Sequence, residues 1–287
     1  MRGAPALRVR FWGVRGSYPA PGPATAATGG NSSCVEVTAA GHTIVLDAGT
    51  GIIGLGRELL HRRGNRVVRI FLSHLHLDHI EGLRFFPPAH DSGWRCHVYG
   101  PGRTGAALRR LLARTMSRHF FPVSFSEFPA RVSVRALRAR QRLRLPGAAP
   151  VAVWARASGA HPKVGVILYR IECGGRSLVY ATDVEAPKGG YGDVVAFARG
   201  ADVLIHDAQY TDREYHQAHL KRAGWGHSTV RMAAEAARAA GVGQLILYHH
   251  DPEHDDAEIR RLERLARTIF PHSRAAVEGL ELRLSPR

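Results

Sequence analysis

Cysteine is scarce. Cys34, Cys96 and Cys173 are the only three in 287 residues, and they lie far apart without the paired spacing of a metal knuckle. An odd number of isolated thiols argues against a disulfide framework and fits buried free thiols in a reducing compartment. Long apolar runs are missing too: no stretch reaches the ~18 apolar residues of a membrane span. Met1-Arg2-Gly3-Ala4-Pro5 leads straight into the strand-like run Leu7–Trp12, with no apolar core of a secretion signal. The expectation is a cytoplasmic protein with no membrane partner. Lysine is nearly absent as well, at 3 of 40 basic residues, which looks like a coding bias toward Arg.

Acidic residues number 24 and the formal net charge is +16, but the excess is uneven. Residues 100–150 hold 11 Arg and one acid, Glu127, so this stretch carries +10 and the rest of the chain +6. A local cationic field favours anionic substrates such as phosphates. A solvated Arg-rich surface explains the same numbers. The hydrophobic fraction of 45% is that of an ordinary globular protein.

Short apolar runs read as strands at Leu7–Trp12, Ser33–Thr38, Thr43–Leu46, Val67–Leu72, Cys96–Tyr99, Val151–Ala155, Val164–Ile171, Leu178–Tyr180, Val203–Ile205 and Leu245–Tyr248. Helical faces lie between some of them: Ile52, Leu55, Leu59 and Leu60; Ala107, Leu108, Leu111 and Leu112; Val230, Ala233, Ala237 and Ala240. The last comprises Ile259, Leu262, Leu265, Ala266 and Ile269, opened by Asp255 as N-cap with Glu258 three residues on. Gly64, Gly200 and Gly241 sit where helices should stop. Two mixed sheets with helices outside would bury these runs. The expected fold is α+β, an αββα sandwich in one domain over residues 1–287, with residues 100–150 as an Arg-rich lid or insertion.

The densest chemistry is His74-Leu75-His76-Leu77-Asp78-His79, directly after the apolar run Val67–Leu72 and Ser73. Three imidazoles and a carboxylate in six residues make a divalent metal site, and the Asp78-His79 pair points to a second metal beside the first. Imidazole suits zinc, iron or manganese, and the carboxylate hardens the site.

Here the chain resembles the metallo-β-lactamase superfamily, on its phosphodiesterase side with ribonuclease Z and cyclic nucleotide phosphodiesterases. Phe11-Trp12-Gly13-Val14-Arg15-Gly16-Ser17, Gly29-Gly30-Asn31-Ser32-Ser33-Cys34 and Leu46-Asp47-Ala48-Gly49-Thr50-Gly51 match that branch. The resemblance implies two divalent ions per chain, zinc first, with manganese or iron as alternatives. It puts His74, His76 and His161 on one ion and Asp78, His79 and His249 on the other, with Asp183 as the bridge. His250 is the alternative to His249 as last ligand. An Asp rather than a Cys at position 183 suits phosphoester chemistry better than β-lactam hydrolysis.

The resemblance also implies that His227, in Gly226-His227-Ser228-Thr229, is a general acid held by Asp207. A carboxylate fixes the imidazole tautomer and supports the imidazolium. His206 reads as a core residue, and His216, His219, His254 and His272 as surface residues. The implied reaction is metal-hydroxide attack on a phosphodiester, with Asp78 orienting the nucleophile and His227 protonating the leaving oxygen. The expected substrate is a small phosphodiester, most simply a cyclic nucleotide. The alternatives are the 3′ end of precursor tRNA, as for ribonuclease Z, or a thioester. Residues 100–145 lack an obvious Gly-rich arm for gripping tRNA. They offer an Arg-bearing helix and Phe120-Phe121-Pro122-Val123-Ser124-Phe125, suited to a lid, a homodimer contact or an RNA-binding surface.

Overall fold

The computed structural model of the chain describes residues 6–147, 149–185 and 192–287. In chain order the elements are β1 (Leu7–Gly13), β2 (Cys34–Ala39), β3 (His42–Leu46), α1 (Gly51–His61), β4 (Val67–Phe71), β5 (Arg95–Gly100), α2 (Gly105–Arg114), β6 (Arg131–Ala136), β7 (Arg140–Leu145), β8 (Val151–Ser158), β9 (Val166–Cys173) and β10 (Arg176–Ala181). There follow α3 (Gly192–Ala198), β11 (Val203–Asp207), α4 (Asp212–Tyr215), α5 (Val230–Ala240), β12 (Gln244–Tyr248), α6 (Asp256–Ile269), β13 (Ser273–Ala275) and β14 (Glu281–Leu284).

The strands form two seven-stranded sheets, in the orders β14-β1-β2-β3-β4-β5-β6 and β13-β12-β11-β10-β9-β8-β7. Each is mixed. Strands β3 to β6 run parallel, as do β10 to β13, and the remaining pairs are antiparallel. The alternation in β1 turns Leu7, Val9 and Phe11 inward. With Ile44, Phe71, Tyr169, Ile205 and Tyr248 they make the core between the sheets. The central parallel strands β3, β4, β10, β11 and β12 are covered on both faces, which is why they read as continuous apolar runs. Helix α1 caps the first sheet through Ile52 and Leu55. Helix α5 lays Ala233, Ala234 and Ala237 on the second, where small side chains allow close approach. The αββα sandwich is thus as the sequence implied.

Helix ends follow the sequence signals. Asp255 accepts from the Glu258 N–H at 2.7 Å, and Gly241 closes α5 with φ +61°. All three cysteines are free and buried. His254 departs from expectation: it is buried and donates from Nε2 to Glu214 Oε1 at 2.9 Å. Its spacing gave no hint of this, because the contact joins the loop before α6 to α4, 40 residues away in sequence.

The Arg-rich segment enters the sheets. After α2 it supplies β6 and β7, the edge strands of the two sheets. Both carry Arg or another polar residue at every second position, so neither shows as an apolar run. Residues 115–130, between α2 and β6, bury Phe125 and Phe128 in the layer outside the first sheet and leave Phe120 exposed.

The topology decides where chemistry can sit. Strands β3, β4, β10, β11 and β12 all end at the same rim of the sandwich. Open α/β sheets bind ligands outside the carboxyl ends of their strands. Asp47, His74–His79, Asp183, Asp207 and His249 follow or close those five strands.

Candidate metal centre

Three groups of side chains at this rim bring their ligand atoms within 4.8 Å of one another: His74, His76, His161 and Asp183; Asp78, His79 and His249; and Asp183, Asp207, His227 and His249. The seven expected ligands and the expected pair His227 and Asp207 are therefore in one place. Asp183 belongs to both the first and third groups, and its Oδ2 also lies 3.1 Å from His79 Nε2 and 3.3 Å from His249 Nε2. It stands between the two sets.

The imidazoles are aimed by what holds their other nitrogen. His79 donates from Nδ1 to Asp47 Oδ2 at 2.8 Å. His161 donates from Nδ1 to the Gly226 carbonyl at 3.2 Å, and His249 from Nδ1 to Gln209 Oε1 at 3.0 Å. The Ser73 hydroxyl lies 3.1 Å from His74 Nδ1 and donates to Asp47 Oδ2 at 2.8 Å. In each ring Nε2 is left facing the centre, the arrangement by which metal-binding His are oriented. His250 is different: it is buried and donates from Nε2 to the Ala276 carbonyl at 2.9 Å. His249 is the one in the cluster.

The backbone is shaped around these rings. Asp47, Asp183 and His249 have φ of +60°, +51° and +60°, a region that non-glycine residues rarely occupy and that clusters at functional sites. Gly226, at φ +95°, lets the chain pass over His161, since a Cβ there would lie 2.1 Å from Nδ1. A Cβ on Gly16 would lie 2.4 Å from the His249 ring.

The electrostatics suit a cation. Burial pushes His74 well below its ordinary pKa, and His79, His76 and His161 push the same way against Asp183. Burial also lowers His76 and His161. Asp78 and Asp183 are held well below the usual carboxylate range: burial opposes this, but the imidazoles around them outweigh it. His74, His76 and His161 are thereby held toward neutral imidazole, and Asp78 and Asp183 toward carboxylate, the forms that bind a metal. His79 runs the other way. Burial disfavours its charge, yet Asp183, Asp78 and Asp47 push it well above its ordinary value, so positive charge is favoured at that point. Buried His74 Nε2 has no hydrogen-bond partner among the described residues. An orphaned buried nitrogen aimed into a negative, imidazole-lined space fits a divalent ion.

His227 is held separately. Asp207 Oδ2 accepts from its Nδ1 at 2.8 Å, while Asp207 Oδ1 accepts the Ser228 and Gln209 N–H groups at 3.0 and 3.2 Å. Its ring stacks on His249 with centroids 5.0 Å apart. Burial alone would depress it, but Asp207 raises its pKa to about 9. The cavity over it measures about 640 Å³ and is lined by His76, His161 and His227, with Tyr18, Lys163, Arg222 and Trp225 at its mouth. No described residue of 100–150 lines it.

The sequence analysis assigned no role to several residues that build the site. Asp47 accepts four bonds, from Ser73 N–H and Oγ, His79 and Tyr180. Gln209 holds His249 and Ser17, and the Ser17 N–H donates to Asp78 Oδ2 at 2.8 Å. Glu185 accepts the Gly224 and Gly226 N–H groups at 2.7 and 2.8 Å and so shapes the loop that carries His227. Asp47 had a signal, the turn Asp47-Ala48-Gly49 after a strand. Gln209 and Glu185 had none.

Sandwich and cluster together define a class: an αββα protein with a His/Asp cluster at its rim. The chain belongs to the β-lactamase superfamily, matching the family model described as "Beta-lactamase superfamily domain" over residues 42–250. Among curated proteins it is similar to Ribonuclease Z of Gemmatimonas aurantiaca, 27% identical over 97% of this chain and 96% of that one. Among solved structures it is similar to the metallo-β-lactamase fold protein YhfI of Bacillus subtilis, with TM-score 0.67, 19% identity and coverage of 96% and 98%. The short form of human tRNase Z gives TM-score 0.65, 22% identity and coverage of 96% and 99%. No helix among the described residues is long and apolar enough to cross a membrane.

Proposed function

We propose that the protein is a divalent-metal-dependent phosphodiesterase of the ribonuclease Z type, an endonuclease that cuts RNA near a 3′ end. The observation that carries the phosphodiester chemistry is His227: an imidazole outside both ligand sets, fixed by a carboxylate and facing the same cavity. The substrate class draws its support from the end-to-end similarity to Ribonuclease Z. This replaces the cyclic nucleotide as the first substrate.

In this reading His74, His76 and His161 hold one ion, and Asp78, His79 and His249 hold a second, with Asp183 between them. The imidazole-rich set suits zinc, with manganese or iron able to take its place. Bound cations would lower the pKa of a water and clamp a phosphoryl oxygen. The chain does the rest. Asp78, fixed by the Ser17 N–H, orients the attacking water. His227 donates a hydrogen bond to the phosphate and then a proton to the departing ribose oxygen. Asp207 keeps the proton-bearing face of the ring toward the cavity and stabilises the imidazolium. Trp225 and Tyr18, both about half exposed at the mouth, offer surfaces for a base.

A second reading keeps the small phosphodiester. The cavity is of small-molecule size, and no Gly-rich arm rises from residues 100–150. One panel separates the two: an RNA hairpin with a 3′ extension, cyclic mononucleotides and bis(p-nitrophenyl) phosphate, each with zinc or manganese. Cleavage of the RNA at one position, with a far higher kcat/KM than for cyclic nucleotides, supports the first. Efficient turnover of a cyclic nucleotide without RNA cleavage overturns it.

A further inference from the structure

The second sheet leaves one part of its outer face bare. Helix α3 lies against β9 and β10, α5 against β11 and β12, and α6 against β13, so the helical layer stops short of the edge strand β7. Its sequence, Arg-Gln-Arg-Leu-Arg-Leu, turns Leu143 and Leu145 toward the core and Arg140, Arg142 and Arg144 outward, all three exposed. The neighbouring strands extend the row. Arg140 stands opposite Arg156, Arg142 opposite Trp154, and Trp154 opposite Arg170.

The charges on this face do not cancel. Arg156 pairs with Asp193 at 2.6 Å and Arg170 with Glu172 at 2.9 Å. Arg140, Arg142 and Arg144 have no carboxylate partner among the described residues. Five guanidinium groups against two carboxylates leave +3. Like charges placed directly opposite, as Arg140 and Arg156 are, weaken a strand pair. Guarding an edge strand against aggregation takes a charge or two, not an aligned row. Trp154 adds an aromatic: the Arg142 guanidinium lies 4.6 Å over its ring.

We propose that this face docks the sugar–phosphate backbone of RNA, away from the cleavage site. The inference rests on the endoribonuclease reading above and adds a place where the body of the substrate is held. Alternate residues of a strand are ~6.6 Å apart, so Arg140, Arg142 and Arg144 form a cationic ladder ~13 Å long. Its near end adjoins the metal cluster: Arg156 precedes His161 by five residues, at most ~18 Å of chain. Backbone contacts of this kind set affinity and register without reading sequence.

The test is the triple variant Arg140→Gln, Arg142→Gln, Arg144→Gln, compared with the parent as holoenzyme between 50 and 300 mM salt. Bis(p-nitrophenyl) phosphate is the control for folding and for the centre, and its kcat/KM should stay within about twofold. For an RNA hairpin with a 3′ extension, kcat/KM should fall about tenfold or more. Its log–log dependence on salt should flatten by about 2, since each phosphate contact contributes ~0.7–0.9 to the slope. If parent and variant cleave RNA alike with equal slopes, the ladder is only a solvated edge and this inference falls, while the endoribonuclease reading stands. If the parent hydrolyses bis(p-nitrophenyl) phosphate but no RNA even at 50 mM salt, that reading fails and the inference fails with it.

Discussion

Asp47 is the buried acid on which the rim depends, and replacing it with Asn isolates its role. Its Oδ1 accepts the Ser73 N–H at 2.7 Å. Its Oδ2 accepts from the Ser73 hydroxyl, His79 Nδ1 and the Tyr180 hydroxyl, each at 2.8 Å. An Asn in the same rotamer keeps one acceptor oxygen. Set toward His79, it turns its amide N–H groups on the Ser73 N–H, leaving one buried donor opposed at about 1–3 kcal/mol. Melting should then fall by roughly 2–10 °C. The functional effect is larger and local. His79 loses the charge that orients it, and such supporting partners are worth about 10–100-fold in metal affinity. The assay is a titration of the holoprotein with a competing chelator, following metal content by mass spectrometry. Asp47→Asn should release its more weakly held ion at a chelator level about 10–100-fold below that of the parent. An ion held by His74, His76 and His161, none of which bonds Asp47 directly, should shift much less. Superimposable release curves for variant and parent would refute this account of Asp47.

Other outcomes follow from the same geometry. His227→Ala should keep the metal content and the fold but lose ~10²–10⁴ in kcat on a diester with a ribose leaving group. It should lose less on a p-nitrophenyl ester, and loss of metal would instead make His227 a ligand. Gly226→Ala should lower both metal retention and activity, because its Cβ would press on the His161 ring 2.1 Å away at a strained φ of +95°. Unchanged metal binding there would show that the loop yields freely. Phe120→Ala, at a residue 76% exposed and outside the cavity lining, should leave KM for a small diester within about twofold. A clear rise would put residues 115–130 over the substrate.

The legible part of this protein is the part with a short-range signature. Strands buried on both faces, such as Val67–Phe71 and Val203–Asp207, announce themselves as apolar runs. The ligands at 74–79 share one loop, so their spacing is itself the evidence. His161, Asp183 and His249 were placed through the family pattern, and they stand in the cluster because β10 and β12 end at the same rim as β4. Arg131–Ala136 and Arg140–Leu145 did not read as strands, since one face of each is arginine or small and the burial pattern is only half apolar. His254 and Gln209 were illegible for another reason: each is fixed by a partner about 40 or more residues away in sequence, and nothing local marks such a contact. Residues 100–150, read as a lid or insertion, contain α2 and the edge strands β6 and β7.

The central claim is a shared centre, two sets of ligands joined at Asp183. Metal content per chain, measured together with the rate on bis(p-nitrophenyl) phosphate, tests it most directly. The parent should carry about two transition-metal ions, and Asp183→Ala should lose at least one of them and essentially all of the rate. A chelator-stripped parent that keeps its full rate, or an Asp183→Ala protein that keeps both ions and the rate, would contradict it.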